Sequence, residues 1–294
     1  MDKLVIGAWQ GVCKDGDLSA NLARTEEVID RAGDAGCDFL CLPEQFLAGT
    51  GSREVLVAAA IGLDDDRLAA LAERAGRRGV VTLVGLVAKR GDAYTNTQVI
   101  LDGGRVAGHY TKTMLVGGDR VIMDTHDDEL PVFHAKGVCF GVIVCHDSSF
   151  PEIPATLAWK GAKVIFSPHF NSLPPRTMDD HRVRVRNNHV GIAAHYGVVV
   201  VRANVVGYWP EGDRYGYGDS AIFAPSGQPL AEAGLFAERL ITADVAPHLD
   251  DNPWRSRREL RPAIIRQLSA AALAGLGEGP AAPAGREPPR RDND

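Results

Sequence analysis

The sequence predicts an α/β fold built on mixed β-sheet. Apolar runs of strand length alternate with amphipathic helical stretches, which is the start of an α/β sheet. Glycine- and aspartate-marked hairpins break that alternation, so neighbouring strands are not all parallel. The chain has 294 residues with 45% hydrophobic content, which suits one large α/β domain or two small ones.

Residues 3–9, KLVIGAW, read as a first strand. Asp17 is placed to cap a helix over 18–35, with Leu22, Val28, Ile29 and Ala32 on its apolar side, and Gly36 stops it. DFLCL (38–42) is a short buried strand followed by PEQF. A second helix over 64–78 carries Leu68, Leu71 and Ala75 on one side and ends at Gly79, and VVTLVGLVA (80–88) follows as a strand. Gly91–Asp92 turns the chain into AYTNTQVIL (93–101), and Asp102–Gly103–Gly104 turns it again into RVAGHYTK (105–112). Residues 113–129 hold many acids and little periodicity, and read as a long surface loop before a strand beginning at PVF (131–133).

The apolar run Val138 to Val144 reads as a strand buried on both faces, ending at Cys145–His146–Asp147, with Pro151 opening a helix over 151–160. AKVIF (162–166) is a strand and SPHFNSLPP (167–175) a proline-punctuated loop. A long helix is expected over 177–195, then one strand over 198–206. DSAIFAP (219–225), QPLAEA (228–233) and RLITADV (239–245) read as three antiparallel strands joined by tight turns. A last helix is expected over 252–272, which makes 1–275 the folded domain and 276–294 a Gly-, Pro-, Ala- and Arg-rich disordered tail.

Net charge is −6, so no global field draws the protein to nucleic acid or anionic lipid. No stretch reaches the ~18 apolar residues of a membrane span, and the N-terminus reads as strand rather than signal peptide. The five cysteines, Cys13, Cys37, Cys41, Cys139 and Cys145, are odd in number and irregularly spaced. That argues against a disulfide framework or zinc site and for a reducing, cytoplasmic compartment. His181, Arg182, Arg184, Arg186 and His189 make a basic helix face without interleaved aromatics, read as solvated or subunit-facing. No GxSxG elbow, Walker A loop or zincin motif occurs.

Three strand ends each present a reactive group: Glu44, Lys112 and Cys145. The ends of sheet strands are where side chains from distant positions converge. Singly, Glu44 reads as a loop acid, Lys112 as a solvated charge and Cys145 as a small buried residue. Together a thiol, a carboxylate and an ammonium suit acyl transfer, the carboxylate taking the thiol proton and the ammonium holding the oxyanion. A Cys/His hydrolase pairing Cys145 with His146, His169 or His195 stays open at this level.

CLPEQF around Glu44, HYTKTML around Lys112 and GVIVCHDSSFPE around Cys145 resemble, in order, three motifs of the nitrilase or carbon–nitrogen hydrolase superfamily, and SPHFNS, VVVVRANVVG and YGDSAIFAPSGQPLAEA resemble its later segments. The resemblance covers roughly residues 3–246. It implies a four-layer α-β-β-α sandwich of two mixed sheets and a homodimer or higher homo-oligomer. It also implies cofactor-free catalysis through a thioester on Cys145, with Glu44 as acid and base and Lys112 and the His146 backbone N–H as oxyanion donors. The family's second glutamate falls at Asp119 by gap-free counting, one methylene shorter, with Glu129 as the other candidate. Asp two places after the cysteine resembles the amidase and carbamoylase branches, which implies a small amide or N-carbamoyl substrate. His146, His169 and Asn171 are the implied pocket residues, and Arg176 is a candidate for a substrate carboxylate. A thioester-based acyltransferase and a non-catalytic binding protein of the same fold are the competing readings.

Overall fold

The computed structural model describes residues 3–117, 119–124, 127–246 and 262–276, without the side chains of 121, 122 and 276. The chain divides into two units, Met1–Asp251 and Asn252–Asp294. In the first, β1 (Leu4–Gln10), α1 (Leu18–Asp34), β2 (Phe39–Cys41), α2 (Arg53–Ala58), α3 (Asp66–Arg78), β3 (Val81–Arg90), β4 (Ala93–Asp102), β5 (Arg105–Thr111) and α4 (Asp119–Ile122) make up the first half. The second half contains β6 (Val132–Ala135), β7 (Val138–Val142), a 3-10 turn (Cys145–Ser149), α5 (Glu152–Trp159), β8 (Val164–Pro168), β9 (Ser172–Leu173) and α6 (Pro175–Tyr196). It continues through β10 (Val199–Ala203), β11 (Val206–Trp209), β12 (Arg214–Tyr217), β13 (Ala221–Phe223), β14 (Pro229–Glu232) and β15 (Arg239–Val245). The described part of the second unit is one helix, α7 (Pro262–Leu276). It overlaps the helix expected over 252–272; residues 252–261 and the tail after 276 lie outside the described residues.

Two six-stranded sheets form, in the orders β15-β1-β2-β3-β4-β5 and β14-β13-β10-β8-β7-β6. The pairings along the first run antiparallel, parallel, parallel, antiparallel, antiparallel. Read from β6 to β14, the second gives the same succession. The two halves are thus alike in topology, and both sheets are mixed as expected.

Side-chain alternation assigns the layers. Phe39 and Cys41 of β2, Val164 and Phe166 of β8, and Val199 and Val201 of β10 meet in one buried cluster between the sheets. Leu40 faces the other way, joining Val28, Ile29, Leu68, Leu71 and Ala75 beneath α1 and α3. Ile165 and Val200 likewise face Leu157, Ile192 and Ala193 beneath α5 and α6. Helix, sheet, sheet, helix is the four-layer arrangement. The caps follow the sequence: the Asp17 carboxylate accepts from the Ala20 N–H at 3.0 Å, and Gly79 and Gly197 end α3 and α6 at φ 69° and 66°.

Four expectations are corrected. The strand expected over 198–206 is two strands, because Asn204 turns the chain out of the second sheet. Its side chain accepts from the Asn171 N–H at 2.8 Å and donates to the Gly218 carbonyl at 2.7 Å, replacing ladder bonds. Residues 239–245 do not complete a three-stranded meander; β15 crosses to pair with β1, which turns Ile241, Ala243 and Val245 into the inter-sheet core. Residues 113–129 are not structureless, since α4 lies within them. On α6, His189 is fully buried rather than solvated, and Arg182 and Arg186 turn to Asp219. Helix α2 and strands β9 and β12 had no expectation, being too short for a periodic signal.

Gly85 of β3 shows how closely this frame grips the chain after β2. A Cβ there would lie 2.4 Å from the Gln45 nitrogen and the Pro43 oxygen and 2.8 Å from the Glu44 carbonyl carbon. Gly85→Ala is therefore expected to lower unfolding free energy by about 1–3 kcal/mol and to cost more activity than a core substitution of equal stability effect. Thermal melts and rate assays on the same preparation check this.

The buried imidazoles give a second prediction. Burial first, then Arg202, pushes His189 down to about 3, and burial with Arg184 and Arg202 pushes His181 to about 4. Both are neutral in the folded protein at pH 7 but charge near 6.5 when unfolded. The unfolded chain then binds more protons between those values, so stability falls as pH drops from about 6.5 toward 4. Denaturant titrations from pH 7 to 4 should show that loss, shallower in His189→Gln; an equal slope in both would contradict it.

Candidate active site

The turn that carries Cys145 is strained and then over-determined. Cys145 sits at φ 51°, in the left-handed region that a side chain disfavours, at a cost of about 1–3 kcal/mol. Asp147 fixes the turn. Its fully buried carboxylate accepts from the Val144 N–H at 2.8 Å, Tyr110 Oη at 2.7 Å, Thr113 Oγ1 at 3.1 Å and the Met114 N–H at 2.8 Å. These bonds clamp the cysteine turn to the segment that follows Lys112. Burial raises the Asp147 carboxyl above its usual range, with the donors from Val144, Tyr110 and Met114 opposing.

Glu44 follows β2 and is 3% exposed. Its Oε1 accepts from Lys112 Nζ at 2.8 Å and Asn96 Nδ2 at 2.7 Å; its Oε2 accepts from the Phe170 N–H at 2.8 Å. Gln45 at φ 50° makes the sharp turn that aims this carboxylate inward. Lys112, 1% exposed, extends β5 through its backbone bond to the Asn96 carbonyl at 2.9 Å. Its ammonium also donates to Asp119 Oδ2 at 2.6 Å. Asp119 therefore reaches the lysine despite its missing methylene, because α4 brings it close. The Val116 N–H steadies the same oxygen at 3.1 Å.

The charges decide the protonation states. Burial opposes a charge on Lys112, but Glu44, Cys145 and Asp119 outweigh it and hold the ammonium well above the usual lysine range. Burial raises the Cys145 thiol, and the neighbouring Glu44 charge raises it further, against the pull of Lys112. The resting pair is a neutral thiol beside a carboxylate. The sulfur accepts from Asn171 Nδ2 at 3.4 Å.

The remaining candidates separate. His146 is half-buried with its ring edge against Phe150, centroids 5.1 Å apart, and burial with the charges of Lys112 and Arg184 pushes its pKa down. His169 is buried in a cluster with Ser167 Oγ at 3.0 Å and His189 Nε2 at 3.1 Å. Burial first, then Arg202 and His189, hold it neutral. His195 is exposed near the C-terminal end of α6, and Arg176 is exposed near its start. Glu129 is exposed.

Asn96, Arg202 and Tyr217 were missed. For Asn96 a signal existed: Thr95–Asn96–Thr97–Gln98 is a polar run inside a strand whose neighbours demand burial, and all four are buried. Buried polar side chains are held by partners. Nothing in the spacing marks Arg202 or Tyr217. Among the described residues, no group of three or more His, Cys, Asp or Glu could hold a metal ion, and no helix is long and apolar enough to cross a membrane.

Comparison with known proteins agrees with this geometry. A protein of Pseudomonas protegens described as the hydrolase in the pqqF 5'region is 34% identical over 226 residues, 74% of this chain and 75% of that protein. An (R)-stereoselective amidase of a Pseudomonas species is 29% identical over 222 residues, 75% and 77% of the two chains. The crystal structure of an amidase from a Nesterenkonia species superposes with TM-score 0.72 at 25% identity, covering 92% of this chain and 97% of the other. The profile of one family, described as carbon-nitrogen hydrolase, matches residues 5–249, a span that takes in Glu44, Lys112 and Cys145. With both halves of the sandwich inside that match, the chain belongs to the carbon-nitrogen hydrolase family.

Proposed function

We propose that the protein is a thiol amidohydrolase that cleaves a non-peptide carbon–nitrogen bond in a small amide or N-carbamoyl compound through a thioester on Cys145. One observation carries this reading: the buried Glu44 carboxylate is bonded to Lys112 Nζ at 2.8 Å, and the charges of both act on the Cys145 thiol. The aspartate two places after the cysteine supports an amide rather than a nitrile.

Glu44 takes the thiol proton as the sulfur attacks the carbonyl carbon. The oxyanion is held by Lys112 Nζ and the His146 backbone N–H. Glu44 then passes its proton to the leaving nitrogen, the C–N bond breaks, and a thioester remains. A water gives its proton to Glu44 and attacks the thioester. Collapse expels the Cys145 sulfur, which takes the proton back from Glu44, and the acid leaves. Lys112 stays an ammonium throughout because negative charge always flanks it: Glu44 and Asp119 at rest, and Asp119 with the oxyanion while Glu44 holds the proton. Within this reading the compartment is cytoplasmic, supported by five unpaired cysteines, and the chain works as a homo-oligomer without a cofactor. The reach of Asp119 to Lys112 supports the catalytic reading over a non-catalytic one.

The purified protein is assayed for ammonia release on a panel of small amides and N-carbamoyl compounds. At least one should turn over, and Cys145→Ala should abolish that turnover. Lys112→Met should cost about 100- to 1000-fold in kcat, and Asp119→Asn a smaller loss. Full activity in Cys145→Ala would overturn the proposal. Added hydroxylamine separates hydrolysis from acyl transfer by the product formed.

A further inference from the structure

Beside Cys145 lies a polar group that the mechanism above does not use. Asn171 Nδ2 donates to Cys145 Sγ at 3.4 Å. Its carbonyl Oδ1 accepts from Arg202 Nη2 at 3.1 Å and stands 3.3 Å from Tyr217 Oη. We infer that Asn171 is a catalytic hydrogen-bond donor to the nucleophilic sulfur, and that Arg202 and Tyr217 are positioning residues that lock its amide in the donating orientation. The inference rests on Cys145 being the nucleophile.

The orientation of an amide side chain has to be argued from its partners. Guanidinium nitrogens only donate, so the oxygen of Asn171 must face Arg202, and the NH2 is thereby turned to the sulfur. The Asn171 backbone is pinned as well, its N–H donating to Asn204 Oδ1 at 2.8 Å.

Arg202 itself is unusual. It is 1% exposed, and a buried guanidinium is costly unless paired. Yet its bonds go to neutral oxygens: the Gly218 carbonyl at 2.7 Å, the Asp219 carbonyl, Asn171 Oδ1 and Tyr217 Oη at 3.1 Å. The nearby Asp219 carboxylate is taken by Arg186 at 3.2 Å and Arg182 at 4.0 Å. A charge kept on neutral acceptors leaves the Asn171 amide polarised toward the sulfur. The donors then run in one direction, from Arg202 to Asn171 and from Asn171 to sulfur. Bonds in such a chain strengthen one another. As the proton moves to Glu44, charge grows on the sulfur and the Asn171 bond becomes a charge-assisted one. The donor therefore gains strength along the reaction coordinate, which is the condition for catalysis rather than binding alone.

The test reads the sulfur directly. Full-length protein is treated with methyl methanethiosulfonate across a pH series, and modification of the Cys145 peptide is followed by mass spectrometry. The charged or titratable groups around that sulfur are Glu44, Lys112, Asp119, His146, Arg202 and Tyr217. Asn171→Ala should move the midpoint of the profile up by about one pH unit, leaving about tenfold less thiolate at neutral pH. Arg202→Gln and Tyr217→Phe should move it the same way by less. Arg202→Gln combined with Asn171→Ala should go no further than Asn171→Ala alone. A folded Asn171→Ala with an unmoved profile, or an Arg202→Gln shift that adds to it, overturns the inference. If Arg202→Gln does not fold by circular dichroism, Tyr217→Phe alone and with Asn171→Ala makes the same comparison. The reagent contains no amide, so a protein that turns over no amide but shows these shifts overturns the functional proposal and leaves this inference standing.

Discussion

The ammonium of Lys112, buried between the Glu44 and Asp119 carboxylates, is the interaction on which the site depends. A buried cation of this kind is stable only while its partners are held in place, since removing one leaves an uncompensated charge. Two carboxylates and one ammonium leave a local surplus of one negative charge. That surplus keeps the lysine protonated, and with burial, the larger cause, it keeps the thiol neutral. The sulfur therefore needs a base in contact with it, and Glu44 is that base in the proposed mechanism. The same arrangement gives Lys112 a fixed position from which to meet an oxyanion, with no reorganisation at the moment of reaction.

The fold brings those groups together from both sheets. Glu44 and Lys112 extend strands of the first sheet, whereas Cys145 follows a strand of the second. The inter-sheet core fixes their separation, with Phe39 against Phe140 and Phe166 at centroid distances near 5.5 Å. Asp147 adds the local clamp by binding Tyr110 and Met114 of the first half while it closes the cysteine turn of the second. Left-handed backbone at Gln45 and Cys145 is the strain this scaffold sustains.

Much of this was legible in the residues. Strand-length apolar runs, caps at Asp17 and Gly79, and hairpin turns at 91–92 and 102–104 are local signals, and the corresponding elements stand close to where they were expected. The convergence of Glu44, Lys112 and Cys145 was legible because each sits at a strand end. What could not be read was long-range. β15 leaves its neighbour in sequence for β1, and no local pattern distinguishes the two partners. Asp119 reaches Lys112 through α4, a helix of four residues, which is too short to show a period. Arg202 looked like one residue of a strand; its role comes from Asn171, 31 positions away. His189 looked solvated beside arginines, yet its face of α6 is the buried one.

In the proposed mechanism Glu44, Lys112 and Cys145 act as one unit that makes a thioester. Acid quenching of the protein during turnover of its best amide, followed by mass spectrometry of the five cysteine peptides, tests this most directly. The expected result is the acyl mass of the substrate on the peptide holding Cys145 and on no other. Turnover with that peptide unmodified, and the acyl group on another cysteine, would contradict it.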